Sequence, residues 1–258
     1  MRRIFFCHIF LLTALTMHSQ TKVIAHRGFS GIAPENTLAA FQKAIEAGVE
    51  YFELDIHKTK DDSVVVIHDS SVDRTSSNGM KGKIADLTFA ELSQVRVGYS
   101  GKFGDEFKEE KVPTLREALQ LAKGKIKVCL EIKVTGAEEQ VMQTLSDLKM
   151  KDEVIIFSFL YPALAKVRQL DENIDILYLI GSADESTIDY AKVIKAQAIG
   201  AGGGNPLTKE YVDRVHANGL EIWRWTVDDE AAIKELISIG VDGIISNFPD
   251  RALKLIER

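Results

Sequence analysis

Residues Val49–His57, VEYFELDIH, give the clearest evidence of the fold, because they form a short, mostly apolar run with Glu53, Asp55 and His57 at alternate positions. Side chains alternate between the two faces of a β-strand, so these three are predicted to share one face. A helical pattern precedes the run, and the succession of strand and helix recurs along the rest of the chain. The stretch is therefore interpreted as one strand of a repeating β/α architecture.

Eight strand candidates follow one another from Thr21 onward. They are Lys22–His26, Val49–His57, Ile126–Lys133, Val154–Ser158, Asp175–Ile180, Ala196–Gly200, Leu220–Thr226 and Asp242–Ser246. The helical patterns that follow them begin near Thr37, Thr114, Ala137, Tyr161, Glu185, Thr208, Asp229 and Pro249. Eight such units in about 240 residues predict an α/β fold, a single (β/α)8 TIM barrel. A doubly wound open sheet is the alternative, but its Gly-rich phosphate turn is not found.

The first helix is predicted over Thr37–Ala47, where the apolar residues fall on one face. Asn36 is predicted to cap its N-terminus, and Gly48 to end it. Glu35, just before the cap, is predicted either to help begin this helix or to take part in a substrate site.

Residues Asp69–Val112 interrupt the rhythm between the second strand and the second long helix. The segment is polar, contains glycine and is too long for an ordinary connection. Because it follows the C-terminal end of a strand, it is predicted to lie over the face where barrel active sites form. We interpret it as a substrate-shaping insertion within one domain, residues 21–258.

Residues 1–20 are predicted to be a cleavable export signal. Arg2 and Arg3 precede an apolar run that ends at Met17, and the small residue Ser19 precedes the expected cleavage point. The run is shorter than the roughly 20 residues of a spanning helix, which disfavours a membrane anchor. A periplasmic or extracellular protein without stable membrane insertion is the expected result.

Composition restricts the classes of function. The formal net charge is −6, and removing Arg2 and Arg3 with the signal makes the remaining chain more acidic. A nucleic-acid-binding protein is expected to carry a basic patch or stripe, so nucleic acid is not a predicted partner. Cys129 alone remains beyond the signal, so no intramolecular disulfide can form.

Acidic residues on neighbouring strands predict a metal site. Glu53 and Asp55 share a face of the second strand, and Glu131 and Lys133 share a face of the third. Three carboxylates that converge on a barrel interior would repel one another unless a cation joined them. Oxygen ligands suit one hard divalent ion, Ca²⁺ or Mg²⁺, better than zinc.

Two histidines are predicted to approach these carboxylates. His26 closes the first strand, at the end of the barrel where catalytic groups collect. The segment Lys58–Asp69 is predicted to form a hairpin with a two-residue turn at Asp61–Asp62. That register sets His68 opposite Asp55, and directly opposed residues share a face. A turn longer by one residue would reverse the direction of His68.

Ten short motifs resemble the glycerophosphodiester phosphodiesterase family in order and spacing, and they span essentially the whole chain after the signal. They are Ile24–Gly28 (IAHRG), Pro34–Thr37 (PENT), Phe52–Asp55 (FELD), Val66–Asp69 (VIHD), Asp73–Thr75 (DRT), Pro113–Leu115 (PTL), Leu130–Lys133 (LEIK), Ser158–Phe159 (SF), Trp225–Val227 (WTV) and Val241–Ile245 (VDGII). The chain departs from the family at Ser246–Asn247, where a Thr–Asp pair is common, and we interpret Asn247 as closing the last strand. The resemblance implies a barrel that hydrolyses glycerophosphodiesters, such as glycerophosphocholine, to glycerol 3-phosphate and an alcohol.

Carried over position by position, the resemblance implies a role for each of seven residues. The metal ligands are Glu53, Asp55 and Glu131, the acid–base pair is His26 and His68, and the phosphate-binding residues are Arg27 and Lys133. Trp225 is predicted to form a wall for the alcohol group, and Trp223, one layer deeper, to belong to the core. Either histidine can be the base, and the nucleophile can be water or the neighbouring glycerol hydroxyl. His57 is predicted to have a polar packing role.

Two other classes of function stand beside this reading. A phospholipase-like phosphodiesterase acting on lipid headgroups would show exposed aromatic residues, and the insertion supplies Phe89, Tyr99, Phe103 and Phe107. A catalytically inactive barrel that only binds would be expected to have lost one of the seven site residues, and all seven are present.

Overall fold

The structure, a computed structural model, describes residues 20–256, so the predicted export signal lies outside the described part of the chain except for Gln20. Within this range the strands are β1 (Lys22–Ala25), β2 (Tyr51–Lys58), β3 (Val64–Val66), β4 (Lys127–Ile132), β5 (Val154–Ser158), β6 (Asp175–Ile180), β7 (Ala198–Ala201), β8 (Glu221–Arg224) and β9 (Gly243–Ser246). The helices are α1 (Leu38–Glu46), α2 (Phe89–Leu92), α3 (Ser100–Phe103), α4 (Leu115–Ala122), α5 (Glu138–Leu148), α6 (Tyr161–Leu170), α7 (Glu185–Val193), α8 (Lys209–Ala217), α9 (Glu230–Ser238) and α10 (Pro249–Ile256). Short 3-10 turns occupy Ile84–Asp86 and Lys151–Glu153.

Eight of these strands close a parallel barrel. Their order around the ring is β1-β9-β8-β7-β6-β5-β4-β2, and pairing of β1 with β2 closes it. The predicted (β/α)8 barrel is thereby confirmed, with strand ends that differ from the predicted ones by at most two residues. None of the helices within residues 20–256 combines the length and the apolar character that a membrane crossing requires.

Alternation along the strands produces two apolar layers. On β2, Phe52 and Leu54 are fully buried and pack towards the surrounding helices, whereas Glu53 points into the barrel. Inside the barrel, Phe157 and Trp223 meet edge to face, with ring centroids 5.7 Å apart. Trp223 is 1% exposed, which confirms its predicted place in the core. The barrel interior therefore has an apolar floor beneath its charged end.

The hairpin between β2 and β3 has a different register from the predicted one. Ile56 pairs with Val66, and the amide of Ile67 donates to the carbonyl of Asp55. The turn has three central residues instead of two, and the last, Asp62, adopts a left-handed backbone (φ 62°). A three-residue turn ending in a left-handed residue is a common hairpin connection. The predicted pairing of His68 with Asp55 is therefore wrong by one residue.

The cap of α1 also differs from the prediction. Thr37, not Asn36, is the N-cap, and its hydroxyl accepts a hydrogen bond from the Ala40 amide at 3.2 Å. Asn36 has a left-handed backbone (φ 57°), which asparagine tolerates better than most residues. This conformation turns its side chain away from the helix and towards the barrel.

The insertion Asp69–Val112 packs on the outer side of β3 around its own apolar cluster, which includes Val72, Leu92 and Val97. Its edge reaches the loop between β1 and α1, where Arg74 contacts Glu35. The insertion thus borders the C-terminal end of the barrel. Its four aromatic residues are buried or half-buried, in contrast to the exposed aromatics that a lipid-docking surface would need.

Candidate active site

A pocket opens at the C-terminal ends of the barrel strands and has two unlike halves. The charged half is formed by His26, Arg27, Glu53, His68, Glu131 and Lys133. The apolar half is formed by Phe157, Phe159, Leu179, Trp225 and Ile245. Most of the residues singled out in the sequence therefore meet in one pocket, although they come from strands and loops far apart along the chain.

Three buried carboxylates converge in the charged half. Glu53, Asp55 and Glu131 each offer an oxygen within 4.8 Å of the others, and each side chain belongs to a residue that is less than one-tenth exposed. The cause is the parallel pairing of β2 with β4, which places Asp55 beside Glu131. Side chains at alternate positions share a face, so Glu53 joins them from one layer below.

Burial and mutual repulsion disturb the ionisation of this cluster. Burial, with the charges of Asp55 and Glu131, raises the pKa of Glu53 well above its usual range. Burial and the charge of Asp55 also raise the pKa of Glu131 to about 7. Within residues 20–256, Glu53 Oε1 is buried and has no hydrogen-bond partner. Three oxygen donors with one unsatisfied buried oxygen fit a hard divalent cation, so the cluster is able to hold a metal ion.

Two cations border the carboxylates. Lys133 Nζ lies 2.9 Å from Glu131 Oε1 and 3.4 Å from Asp55 Oδ1. Arg27 Nε lies 3.6 Å from Asp55 Oδ2, and the Arg27 backbone amide donates to Glu53 Oε2 at 2.8 Å. Burial alone would raise the pKa of Asp55, but the charges of Lys133 and Arg27 lower it. When all three carboxyl groups are ionised, Lys133 and Arg27 do not neutralise their charge completely, so the cluster still attracts a cation.

Asn36 orients one of these carboxylates. Its side-chain nitrogen donates to Asp55 Oδ2 at 2.8 Å, and its side-chain oxygen accepts from the Asp55 backbone amide at 3.2 Å. The prediction that Asn36 caps α1 did not include this contact. Its position in the Pro34–Thr37 motif was the available signal.

His26 is held in one orientation by Asn247. The ring Nδ1 lies 2.8 Å from Asn247 Oδ1, and Nε2 lies 4.0 Å from Glu53 Oε2. The Asn247 amide nitrogen donates to Asp228 Oδ2 at 2.7 Å. Burial and the charge of Arg27 lower the pKa of His26 to about 4. The interpretation of Asn247 as merely closing the last strand was therefore incomplete, because its side chain contacts a site histidine.

His68 reaches the pocket although the hairpin register differs from the prediction. The chain bends after β3, and the bend carries His68 back to the pocket wall. Its Nδ1 lies 2.7 Å from Asp69 Oδ1, and its backbone carbonyl lies 3.1 Å from His57 Nε2. His57 thus packs behind the site, in keeping with its predicted role.

Glu35 lies beside the pocket with both carboxylate oxygens occupied. Oε1 accepts from Arg27 Nη1 at 2.9 Å and from Arg74 Nη2 at 2.6 Å. Oε2 accepts from Arg74 Nη1 at 2.8 Å. The predicted substrate-binding candidate Glu35 therefore accepts hydrogen bonds from two arginines, and one of them, Arg74, was not among the predicted site residues.

Trp225 and Phe159 form the rim of the apolar half. Their rings meet edge to face with centroids 5.3 Å apart, and Phe159 is 42% exposed. The Trp225 indole N–H donates to the Gly200 carbonyl at 3.0 Å, which fixes the ring against β7. The ring predicted to be a wall for the alcohol thus lies in the pocket with its polar atom already satisfied.

Known proteins share the sequence and the fold of this chain over most of its length. Residues 26–251 match the model of the glycerophosphoryl diester phosphodiesterase family. A glycerophosphodiester phosphodiesterase of Bacillus altitudinis is 36% identical over 249 residues, covering 92% of this chain and 98% of that protein. One of Caldanaerobacter subterraneus is 36% identical over 245 residues, covering 93% and 99%. An Oleispira antarctica phosphodiesterase, solved in complex with the product sn-glycerol-3-phosphate, superimposes with a TM-score of 0.83 at 28% identity, covering 93% of this chain and 98% of that one.

Proposed function

Because the chain belongs to the glycerophosphoryl diester phosphodiesterase family and is a phosphodiesterase of that class, we propose that it cleaves glycerophosphodiesters by metal-dependent acid–base catalysis. The products are glycerol 3-phosphate and an alcohol. The observation that carries the proposal is the convergence of three buried carboxylates, two histidines and two cations in one pocket. The product complex of the similar Oleispira antarctica enzyme supports the glycerol 3-phosphate half.

Glu53, Asp55 and Glu131 would hold one divalent cation, Ca²⁺ or Mg²⁺. Their donor set consists of carboxylate oxygens alone, which suits hard ions. Glu53 Oε1 has no hydrogen-bond partner among the described residues, and the pKa of Glu131 is raised. Both observations support a role for these carboxyl groups in binding a cation. When bound, the cation would stabilise the negative charge that develops on the phosphoryl oxygens.

Arg27 and Lys133 would bind the phosphate. Lys133 has three N–H donors, and two carboxylates lie within 4.0 Å of its nitrogen, so one donor can turn to a substrate oxygen. Arg27 Nε has no hydrogen-bond partner among the described residues and is held 3.6 Å from Asp55. Preorganised cations of this kind stabilise the charge on equatorial oxygens as the nucleophile attacks.

The hydrogen bonds to the two histidines support different roles for them. Asn247 is a neutral acceptor for His26 Nδ1–H, so Nε2 is left with a lone pair that can take a proton from the nucleophile. Asp69 is an anionic acceptor for His68 Nδ1–H, so a ring that also carries a proton on Nε2 keeps this hydrogen bond. We therefore assign His26 as the general base and His68 as the acid that protonates the departing alkoxide.

Two nucleophiles fit this assignment. Water would give glycerol 3-phosphate directly, with its proton transferred to His26. The neighbouring glycerol hydroxyl would give a cyclic phosphate and release the alcohol, and water would then open the ring. In both routes the P–O bond to the alcohol breaks and the alcohol oxygen receives its proton from His68.

We further propose that the protein is exported, since residues 1–20 have the basic start, apolar run and small residue of a signal. N-terminal sequencing of the protein from a cell fractionation would test this. A mature chain that begins near Thr21 in the periplasm or medium is expected, and a cytoplasmic chain that retains Met1 would contradict the proposal.

The decisive experiment on the activity is a product assay with glycerophosphocholine. Enzyme freed of metal by a chelator should be inactive, and Ca²⁺ or Mg²⁺ should restore the release of glycerol 3-phosphate. Full turnover in excess chelator would overturn the metal assignment. Absence of product under every metal condition would overturn the substrate assignment.

A further inference from the structure

One side chain of the insertion, Arg74, lies between two parts of the charged site. It belongs to the Asp73–Thr75 motif, which has no role in the mechanism above. We propose that Arg74 is a positioning residue that orients His68 through Asp69 and Arg27 through Glu35. The proposal deepens the proposed function and rests on it for the roles of the two residues that are oriented.

Every N–H group of the Arg74 guanidinium has a protein acceptor. Nε and Nη2 donate to the two carboxylate oxygens of Asp69, at 2.7 and 3.0 Å. Nη2 also donates to Glu35 Oε1 at 2.6 Å, and Nη1 donates to Glu35 Oε2 and the Tyr99 hydroxyl, both at 2.8 Å. A guanidinium has five N–H donors, and these bonds use all of them. No donor is left for substrate, so Arg74 must act through the side chains it holds.

The two carboxylates transmit this constraint to the pocket wall. Asp69 Oδ1 lies 2.7 Å from His68 Nδ1, and Glu35 Oε1 accepts from Arg27 Nη1 at 2.9 Å. His68 and Arg27 both line the pocket. Glu35, Asp69 and Arg74, here called the Arg74 clamp, stand behind them. Arg74 thus orients both His68, which would transfer a proton, and Arg27, which would bind the phosphate.

Charge keeps the clamp closed at neutral pH. Hydrogen bonds from Arg74 hold the pKa of Asp69 well below its usual range. Burial would raise the pKa of Glu35, but the hydrogen bonds and charges of Arg74 and Arg27 lower it. Both carboxyl groups therefore stay ionised, and their bonds to the guanidinium are the strong, charge-assisted kind. A lysine would keep the charge without the planar fork that grips two carboxylates at once.

The backbone of the motif explains how Arg74 is presented. The Asp73 carboxylate accepts a hydrogen bond from the Gly82 amide at 2.9 Å, and the Thr75 amide donates to the Val72 carbonyl at 3.2 Å. Thr75 is 5% exposed and anchors the turn in the insertion. The neighbours on both sides are thus fixed to the insertion, while Arg74 projects towards the barrel.

Replacing Arg74 should therefore damage two steps at once. Loss of an outer partner that orients an active-site group typically costs about 10- to 100-fold, and we expect Arg74→Ala to lower kcat/KM by about that factor. Asp69→Asn should lower mainly kcat, because it releases His68. Glu35→Gln should raise mainly KM, because it releases Arg27. Combined with Arg74→Ala, neither second change should add its full effect.

Two matched variants and one chemical rescue separate positioning from general damage. Arg116→Ala removes another half-exposed arginine, paired with Asp147 on the outer helices, and should behave as wild type. Arg74→Lys keeps the positive charge and should recover only part of the lost activity. Added guanidinium, at concentrations that leave wild type unaffected, should partly restore Arg74→Ala but not Glu35→Gln.

Two measurements without turnover make the test independent of the proposed activity. Titration calorimetry with inorganic phosphate should show weaker binding to Arg74→Ala and to Glu35→Gln than to Arg116→Ala. The Nδ1–H proton of His68, which is hydrogen-bonded to Asp69, should give a sharp, slowly exchanging NMR signal in wild type and a broadened one in Arg74→Ala and Arg74→Lys. Wild-type phosphate affinity together with an unchanged His68 signal in a folded Arg74 variant would overturn the positioning role. A wild-type protein that hydrolyses no glycerophosphodiester, yet shows these two differences, would overturn the proposed function and leave the clamp supported.

Discussion

The Nδ1–H group of His26 donates to the side-chain oxygen of Asn247 across 2.8 Å, although 221 residues separate the two in sequence. Asp228 accepts both the side-chain N–H and the backbone N–H of Asn247, at 2.7 and 2.8 Å. A carboxylate can only accept, so Asp228 fixes which end of the amide faces His26. The chain Asp228–Asn247–His26 therefore fixes the tautomer that leaves Nε2 free to take a proton.

Exchanging the amide of Asn247 and the carboxylate of Asp228 should test whether these hydrogen bonds orient His26. Asn247→Asp places a second carboxylate against Asp228, and repulsion between them should lower kcat by about 10- to 100-fold. The double variant Asn247→Asp with Asp228→Asn restores one amide and one carboxylate and should recover most of that loss. Steady-state kinetics on glycerophosphocholine would measure it, with exposed Asn173→Asp as the control. A double variant with a lower kcat than the single variant would contradict the proposed hydrogen-bonded series from Asp228 through Asn247 to His26.

Calorimetric titration with Ca²⁺ or Mg²⁺ should distinguish variants of the metal ligands from variants of the histidines. Asp55→Ala and Glu131→Ala remove oxygen ligands and should weaken the binding of Ca²⁺ or Mg²⁺, whereas His68→Ala should bind the ion as wild type does. Turnover should fall in all three, with a loss for the histidine of about 10²- to 10⁴-fold. His26→Ala should resemble His68→Ala. If His68→Ala lost the metal, the histidine would have to be reassigned as a ligand.

The pH dependence of stability should reveal the repulsion in the metal-free cluster. Burial and the charge of Asp55 raise the pKa of Glu131 from 4.5 to about 7. Between these values the folded protein binds a proton that the unfolded chain has released, so this contribution to stability falls as pH rises. His26, whose pKa burial lowers from 6.5 to about 4, contributes in the opposite sense. A variant is therefore needed to separate the contribution of Glu131 to stability from that of His26.

Glu131→Gln provides that isolation, because it removes the titration and leaves His26 in place. In chelator, the Tm of wild type minus the Tm of Glu131→Gln should become more negative as the pH rises from 4.5 to about 7. Saturating Ca²⁺ should reverse the trend, since a bound cation stabilises the ionised ligands. Differential scanning calorimetry across this range would decide. A difference that does not vary with pH would mean that the Glu131 pKa is ordinary.

The sequence was sufficient for the parts of the site that follow from strand periodicity. Glu53 and Asp55 share a face because side chains alternate along β2, and Glu131 joins them because β2 and β4 are neighbours in a barrel. Those relations need the strand assignment and the barrel order but no loop geometry. The convergence of three carboxylates could therefore be predicted before any coordinates existed.

Contacts made by loops could not be predicted in this way. His68 was aimed at the site through a two-residue turn, yet the turn has three central residues, and a bend after β3 brings His68 to the pocket. One residue in a turn reverses every side chain beyond it. The same limit applies to Asn247 and Arg74, whose partners are chosen by the closure of the barrel and by the folding of the insertion.

The apolar half of the pocket leads to the last prediction, which concerns the alcohol group. Phe159 and Trp225 form its rim, and the charged residues of the pocket come from β1, β2 and β4 and the segments that follow them, with Lys133 Nζ 6.0 Å from the Phe159 ring centroid. The positive charges of Arg27 and Lys133 are therefore concentrated where the phosphate would bind. No lining residue on the apolar half carries a charge that could select one particular headgroup. We expect a strict demand for the glycerol phosphate half of the substrate and tolerance of the alcohol.

Glycerophosphocholine, glycerophosphoethanolamine and glycerophosphoglycerol should accordingly have kcat/KM values within about tenfold, a spread of about 1.4 kcal/mol in transition-state binding. Phe159→Ala should raise KM for all three, because it removes apolar area that each alcohol group can contact. Diacyl phospholipids should be far poorer substrates, since acyl chains block the glycerol hydroxyls and the aromatic residues of the insertion are not exposed for docking. Steady-state kinetics on this panel would decide. Preference for one headgroup by well over about 100-fold would require a contact stronger than the aromatic rim supplies. That result, or efficient cleavage of an intact phospholipid, would favour the lipid-directed alternative.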